Sequence, residues 1–152
     1  MRALVQRVSE ASVTIALERH ASIGRGMLIF LGVSARDTEE SARYLAERCA
    51  HLRMFEDDAE KMNLSIAESG GHALVVSQFT LYADTRKGNR PGFTDAAPPA
   101  QAEALYEAFV RNLRGHLGDA RVSTGVFRAM MQVALVNDGP VTLMLESKEP
   151  LS

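Results

Sequence analysis

In Gly26-Met27-Leu28-Ile29-Phe30-Leu31-Gly32-Val33, the residues from Met27 to Leu31 are uniformly apolar. A run this short suits a strand buried on both faces, so the segment is read as the centre of a sheet. Before it, Leu4 to Ile15 alternate with period two, Val5 and Arg7 against Leu4, Gln6 and Val8, then Ala11, Val13 and Ile15 against Ser12 and Thr14. That pattern belongs to half-buried strands, either a strand pair or one long bent strand. After it, Asp37 or Thr38 is placed to N-cap a helix. Glu39 and Glu40 suit the positive end of its dipole, and Ala42, Leu45, Ala46, Cys49 and Leu52 recur at helical spacing, which predicts a helix over about 38–53.

Gly70-Gly71 then breaks the chain before Ala73-Leu74-Val75-Val76, a run that continues into Ser77-Gln78-Phe79-Thr80-Leu81 as sheet. From Asp84 to Pro99 the chain is rich in Gly, Pro, Arg and Asp, a long loop of the kind that often carries function. Ala102, Leu105, Phe109 and Leu113 give a second helix over about 100–115. Met131–Val136 and Val141–Leu145 read as two strands separated by an Asn137-Asp138-Gly139-Pro140 turn. The order predicts an α+β fold, mainly antiparallel, around two principal helices.

The 152 residues are 46% hydrophobic and 24% charged, and 17 Lys+Arg against 19 Asp+Glu give a net charge of −2. These values describe a single globular domain, taken as residues 1–147 with a short tail at 148–152. A chain of this size buries roughly 68–70% of its unfolded surface, enough to fold without disulfides or structural metal. The one cysteine, Cys49, excludes an intrachain disulfide or a CxxC pair and points to the cytoplasm. No run approaches the ~18 apolar residues of a membrane span, and the N-terminus lacks a signal-peptide core. Near-neutral charge argues against coating nucleic acid or DNA non-specifically, while leaving open a pocket for a nucleic-acid end.

Conventional catalytic sets are missing. His20, His51, His72 and His116 show no HxH or HExxH spacing, so no metal or other cofactor is expected. Cys49 falls on the apolar face of the first helix, the place of an inert thiol. No GxSxG elbow and no phosphate-binding GxxxxGK[ST] occurs. What remains are two polar interruptions of apolar strands. Ser77-Gln78-Phe79-Thr80-Leu81 reads either as hydrogen-bonded strand-end residues or as a pocket wall offering main-chain N–H groups and the Thr80 hydroxyl to a reacting carbonyl. Asn137-Asp138-Gly139-Pro140-Val141-Thr142 reads either as turn punctuation or, if its Gly-Pro bond is cis, as a rigid pair of carbonyl acceptors for an ammonium group.

Together the two segments resemble the D-aminoacyl-tRNA deacylases, also called D-tyrosyl-tRNA deacylases. Ser77 to Leu81 looks like that family's SQFTL signature and Asn137 to Thr142 like its NxGPVT signature. The likeness extends to Val5-Gln6-Arg7-Val8 with Ala11-Ser12-Val13, to Gly88, Arg90-Pro91 and Phe93, and to Gly125, Phe127 and Met131. It implies a barrel-like closure of the sheet and a cytoplasmic homodimer with shared active sites. The reaction implied is hydrolysis of the ester joining a D-amino acid to the 3′ end of tRNA.

By the same resemblance, one subunit inserts a cis Gly139-Pro140 into its partner's site. The two carbonyls hold the substrate's α-ammonium so that an L side chain meets the wall, while glycine passes. Arg7 would brace that segment together with Asn137. Main-chain N–H groups around Gln78 and Phe79 would form the oxyanion hole, Ser77 and Gln78 would shape the pocket, and Phe127 and Met131 would line it for the terminal adenine. Without the resemblance, the four-residue spacing of Phe127 and Met131 favours core packing, and Arg7 reads as an exposed strand-face charge. Either Thr80 is the nucleophile or the substrate's 2′-hydroxyl activates water; the second fits a Thr80 with no base nearby in sequence. Rival readings are an L-aminoacyl-tRNA editing hydrolase of the same build and a non-catalytic tRNA-end-binding module.

Overall fold

The computed structural model describes residues 1–148. Of the tail expected at 148–152, only Lys148 falls within the described residues. Its ammonium sits 5.4 Å from the centroid of the Tyr44 ring.

The apolar run is strand β3 (Gly26–Gly32), and it lies inside the sheet. It pairs antiparallel with β1 (Arg2–Ile15) on one side and parallel with β6 (His72–Ser77) on the other. Between β1 and β3 the chain forms β2 (Glu18–Ile23), a hairpin partner for the far half of β1. Thus Leu4 to Ile15 belong to one long strand. Beyond β6 lies β7 (Val122–Thr124), also parallel. The parallel pairs follow from the two helices, because each connection from β3 to β6 and from β6 to β7 crosses over through helical chain.

Those helices are α1 (Glu39–His51) and α3 (Pro99–Leu117), with the one-turn α2 (Ile66–Ser69) and the small hairpin of β4 (Phe55–Glu56) and β5 (Met62–Leu64) between them. Thr38, not Asp37, stands at the N-cap of α1. The Asp37 carboxylate instead accepts from the Met1 ammonium at 2.6 Å and from the Ser34 N–H at 2.7 Å. Helix α3 opens on Pro99, whose fixed φ and missing N–H suit a first helical turn.

Alternation along β3 divides the interior. Met27, Ile29 and Leu31 join Leu45, Cys49, Phe109 and Leu113 under the helices. Leu28 joins Val8, Val13, Leu74 and Val76 on the opposite face, where Met131, Val133 and Leu135 cover them. With both faces covered, the sheet takes the barrel-like form of an α+β fold.

Two expected elements differ. Met131–Val136 and Val141–Leu145 do not form separate strands about a turn. They are halves of a single β8 (Gln132–Glu146) that pairs antiparallel with β1 from Thr14↔Gln132 to Arg2↔Glu146. Between Gln6↔Thr142 and Val8↔Asn137, β1 advances two residues while β8 advances five. Asn137 to Val141 is therefore an extruded bulge, because Pro140 has no N–H to give a ladder and the extra residues must leave its plane. Likewise the sheet stops at Ser77, and Phe79–Tyr82 coil into a 3-10 turn.

Candidate active site

Strands β3, β6 and β7 run in the same direction, so their carboxyl ends meet at one edge of the sheet, the usual mouth for a ligand in parallel architectures. Here the chain leaves β6 through Gln78, whose N–H donates to the Leu31 carbonyl at 2.8 Å, and turns through Leu81 N–H to Gln78 O at 3.3 Å and Ala83 N–H to Thr80 O at 3.1 Å. The turn packs directly on Gly32, where a Cβ would stand 3.0 Å from Leu81 Cβ and 3.1 Å from the Gln78 carbonyl. The first amides of a helical turn have no acceptor inside it, which leaves the N–H groups of Phe79 and Thr80 at the mouth. The Gln78 main-chain N–H, expected to donate there as well, is already committed to Leu31. Its side-chain amide donates to the Thr80 hydroxyl instead, a neighbour unable to take up a proton.

The Phe79 ring is 54% exposed and meets Phe93 edge to face at 5.0 Å between centroids. Local sequence gives Phe93 no role of its own; the closure of the loop is what brings it here. Asp84 and Gly92 exchange main-chain hydrogen bonds of 2.7 and 2.9 Å across the loop. The Arg86 guanidinium grips the Asp84 carboxylate at 2.9 Å through two nitrogens and lowers its pKa to about 2.

The second segment is built on Arg7. This side chain is buried, unlike the exposed strand-face charge its position in the alternation allowed. Its guanidinium donates to the Asp138 carbonyl at 3.1 Å and to the Met54 carbonyl at 2.9 Å, with the Asp138 carboxylate at 3.5 Å. Above it the Gly139–Pro140 peptide bond is cis, and Gly139 has φ +126°, a backbone that L side chains rarely adopt. A Cβ there would also lie 3.0 Å from the Arg7 guanidinium. Asn137 closes the base of the bulge. With its amide assigned to match donors with acceptors, the nitrogen gives to the Val141 and Arg7 carbonyls at 3.0 Å each and the oxygen accepts from Thr142 Oγ1 at 2.9 Å.

Phe127 and Met131 lie on the connection from β7 to β8 but face different surroundings. Phe127 is half-buried against Tyr106, with ring centroids 6.0 Å apart, on the helix side. Met131 packs inside the curled sheet, and its sulfur would stand 2.7 Å from a Cβ on Gly125. Both are near the carboxyl end of β6, since the Gly125 N–H donates to the Val75 carbonyl at 3.0 Å.

The two motif segments are not brought together within one chain. Ser77 pairs with Leu31 at one end of β3, whereas Asn137 pairs with Val8, and Val8 with Gly26, at the other. The span from residue 26 to 31 is roughly 17 Å at strand rise. Elsewhere, the Cys49 thiol is buried and pushed up to about 12, so it is not an ionised nucleophile at neutral pH. Among the described residues no group of three His, Cys, Asp or Glu is placed to hold a metal ion. No helix is long and apolar enough to cross a membrane.

Main-chain amides, a hydroxyl and aromatic rings thus gather at one edge, and among the described residues the Thr80 hydroxyl is hydrogen-bonded to the Gln78 amide and to no ionisable side chain. Residues 4–146 match the family described as D-Tyr-tRNA(Tyr) deacylase. The chain belongs to that family of hydrolases. It is 60% identical over 148 residues to a D-aminoacyl-tRNA deacylase of Anaeromyxobacter dehalogenans, covering 97% of this chain and 98% of that one. It is also 60% identical over 147 residues to the D-aminoacyl-tRNA deacylase of Roseiflexus castenholzii, covering 97% and 92%. A solved structure named c-Myc DNA Unwinding Element Binding Protein superposes with a TM-score of 0.93 at 42% identity, covering 97% of this chain and 99% of that one. A second, described as a probable eukaryotic D-amino acid tRNA deacylase, gives 0.84 at 21% identity, covering 95% and 98%, and supports the fold.

Proposed function

We propose that this protein hydrolyses the ester of D-aminoacyl-tRNA, releasing free D-amino acid and tRNA, and that it also accepts glycyl-tRNA. It acts in the cytoplasm as a homodimer, one folded domain per chain, on the 3′ end of tRNA rather than on duplex DNA, and needs no cofactor. The observation that carries the reading is the separation of the two motifs along β3. A substrate touching both the Phe79 turn and the Gly139–Pro140 bulge needs the bulge of a second chain.

In this reading the acyl carbonyl lies against the N–H of Phe79, with that of Thr80 beside it. A tetrahedral intermediate forms when water adds to the carbonyl carbon, and its oxygen takes the charge that those amides stabilise. Removing one such donor typically costs on the order of 10²–10³ in rate. The substrate's 2′-hydroxyl relays the water proton, the bond to the 3′-oxygen breaks and that oxygen leaves protonated. Thr80, whose side-chain partner among the described residues is the Gln78 amide, is not the nucleophile. The carbonyls of the partner's Gly139 and Pro140 hold the α-ammonium and exclude an L side chain, a selection that stiff backbone performs better than a mobile side chain.

The test is deacylation of matched D-aminoacyl-, L-aminoacyl- and glycyl-tRNA. Cleavage of the first and third with the second intact is expected, and most activity survives in Thr80→Val. Cleavage of the L ester, or tight tRNA binding without turnover, would overturn the reading in favour of an L-editing enzyme or a binding module. The shared site has its own test. Phe79→Pro removes one main-chain donor at a first helical position that tolerates proline, and deletion of 139–140 removes the partner's contribution. Each variant alone is inactive; co-folding the two in equal amounts makes about half the dimers mixed, each with one intact site, and restores about a quarter of wild-type activity.

A further inference from the structure

Residues 84–93 leave the Phe79 turn and come back to it as a closed loop. Asp84 and Gly92 bridge its base with main-chain hydrogen bonds of 2.7 and 2.9 Å. Phe93, the next residue, sets its ring against Phe79 at 5.0 Å between centroids. Residues 85–91 lie between the partners of the bridge and are all exposed. At 3.3–3.6 Å per residue, the tip stands at most about 12 Å beyond the bridge, so it is held close to the mouth of the candidate site.

The charge on that tip is one-sided. The segment from Asp84 to Pro99 has two carboxylates, Asp84 and Asp95. Both act on Arg86, Asp84 by accepting from the guanidinium at 2.9 Å and Asp95 more weakly through space, and together they raise its pKa. The Lys87 ammonium and the Arg90 guanidinium are left with no hydrogen-bond or ion-pair partner among the described residues. In a chain of net charge −2, two unneutralised cations three residues apart beside the site make a local positive field that the molecule as a whole lacks.

An ester at Phe79 arrives with a strand of phosphates behind it. Substrates of different sequence share that backbone, and phosphate contacts position a nucleic acid without reading its bases. Their affinity comes from Lys and Arg that displace counterions, which a near-neutral protein has to supply from particular residues. Lys suits the task as a point charge and Arg as a fork. The Asp84–Arg86 pair removes the repulsion that a bare carboxylate at the base of the loop would offer the strand.

We propose that the 85–91 loop is an interaction surface for the tRNA acceptor arm, with Lys87 and Arg90 on backbone phosphates behind the terminal adenosine and no contact to a base. The proposal rests on the deacylase reading above and extends it from the ester to the strand that carries it.

Steady-state hydrolysis of D-aminoacyl-tRNA and of the minimal 3′-O-D-aminoacyl-adenosine, which carries no phosphate, separates loop from site. In Lys87→Gln, Arg90→Gln and the double variant, KM for the tRNA substrate rises, by about tenfold in the double variant at low salt. Meanwhile kcat and both constants for the minimal substrate stay at wild-type values. The slope of log affinity for tRNA against log salt becomes shallower by about 0.7–0.9 for each phosphate that a variant no longer neutralises, and equally so for tRNAs of different acceptor sequence. Arg90→Lys, which keeps the charge, retains most of the affinity. An unchanged KM for tRNA, equal losses on both substrates, or losses that follow the acceptor sequence would overturn the proposal. If the wild-type protein cleaves neither substrate, the deacylase reading fails on its own. Affinity for uncharged tRNA then decides this one: weaker binding in the double variant supports the loop, and equal binding sinks it.

Discussion

At the scale of the residue, Arg7 couples the strand to the bulge. Its buried guanidinium satisfies the carbonyls of Asp138 and Met54, and an acceptor left without a partner costs about 1–3 kcal/mol. Arg7→Met keeps the apolar stem and removes both donors. The expected result is about 2–3 kcal/mol of lost stability, seen as a lower urea midpoint at unchanged m-value, with a smaller ratio of D- to L-aminoacyl-tRNA cleavage because the acceptor carbonyls are no longer held. A stability loss with the chiral ratio untouched would confine Arg7 to the fold.

The elements make two further predictions. Strand β3 begins at Gly26, where a Cβ would fall 1.8 Å from the His72 carbonyl oxygen of the parallel neighbour. Backbone cannot yield as a side-chain tip does, so Gly26→Ala should cost about 3 kcal/mol or more, read as a large fall in the thermal midpoint or as insoluble protein. The 84–92 loop depends on pH. The Asp84 carboxylate is held at about 2 by Arg86, below its ordinary value of 3.8. A depressed folded-state value means that the pair supports the loop in full above about pH 3.8. That support is lost as pH falls through 2. Amide exchange at 84–92, compared with the core of β3 over this window, should rise first in the loop, and Asp84→Asn should show the fast exchange at every pH. Because the loop sets Phe93 against Phe79, the same variant should lower kcat at neutral pH.

For the whole molecule, β8 leaves one long edge unpaired among the described residues. Among the described residues β8 pairs with β1 alone, and Val136, Leu143 and Met144 along it are 50%, 40% and 47% exposed. A long edge strand with apolar side chains invites another chain. Under the shared-site reading, Leu143→Asp with Met144→Asp yields a folded monomer. Circular dichroism would match the wild type, light scattering would report half the mass, and deacylation would be lost. A fully active monomer would defeat the shared site.

Most of the skeleton is legible in the sequence because hydrophobic periodicity reports local environment. Met27–Leu31 as a central strand, both principal helices within two residues of their ends, and the two polar segments all follow from neighbours in sequence. Asn-Asp-Gly-Pro, however, has the same chemistry in a chain reversal and in a bulge. Only the continued pairing of β1 with both halves of β8 decides between them. Arg7 poses the same problem, since period-two alternation does not reveal that a bulge will fold over an outward-facing charge. The commitment of the Gln78 amide to Leu31 and the meeting of Phe79 with Phe93 join residues far apart in the chain. The sequence by itself determined which segments are strand, helix and motif, because those depend on local pattern. The tertiary structure alone decided which donors stay free and which ends of β3 the motifs occupy, because those depend on long-range pairing that local pattern does not encode.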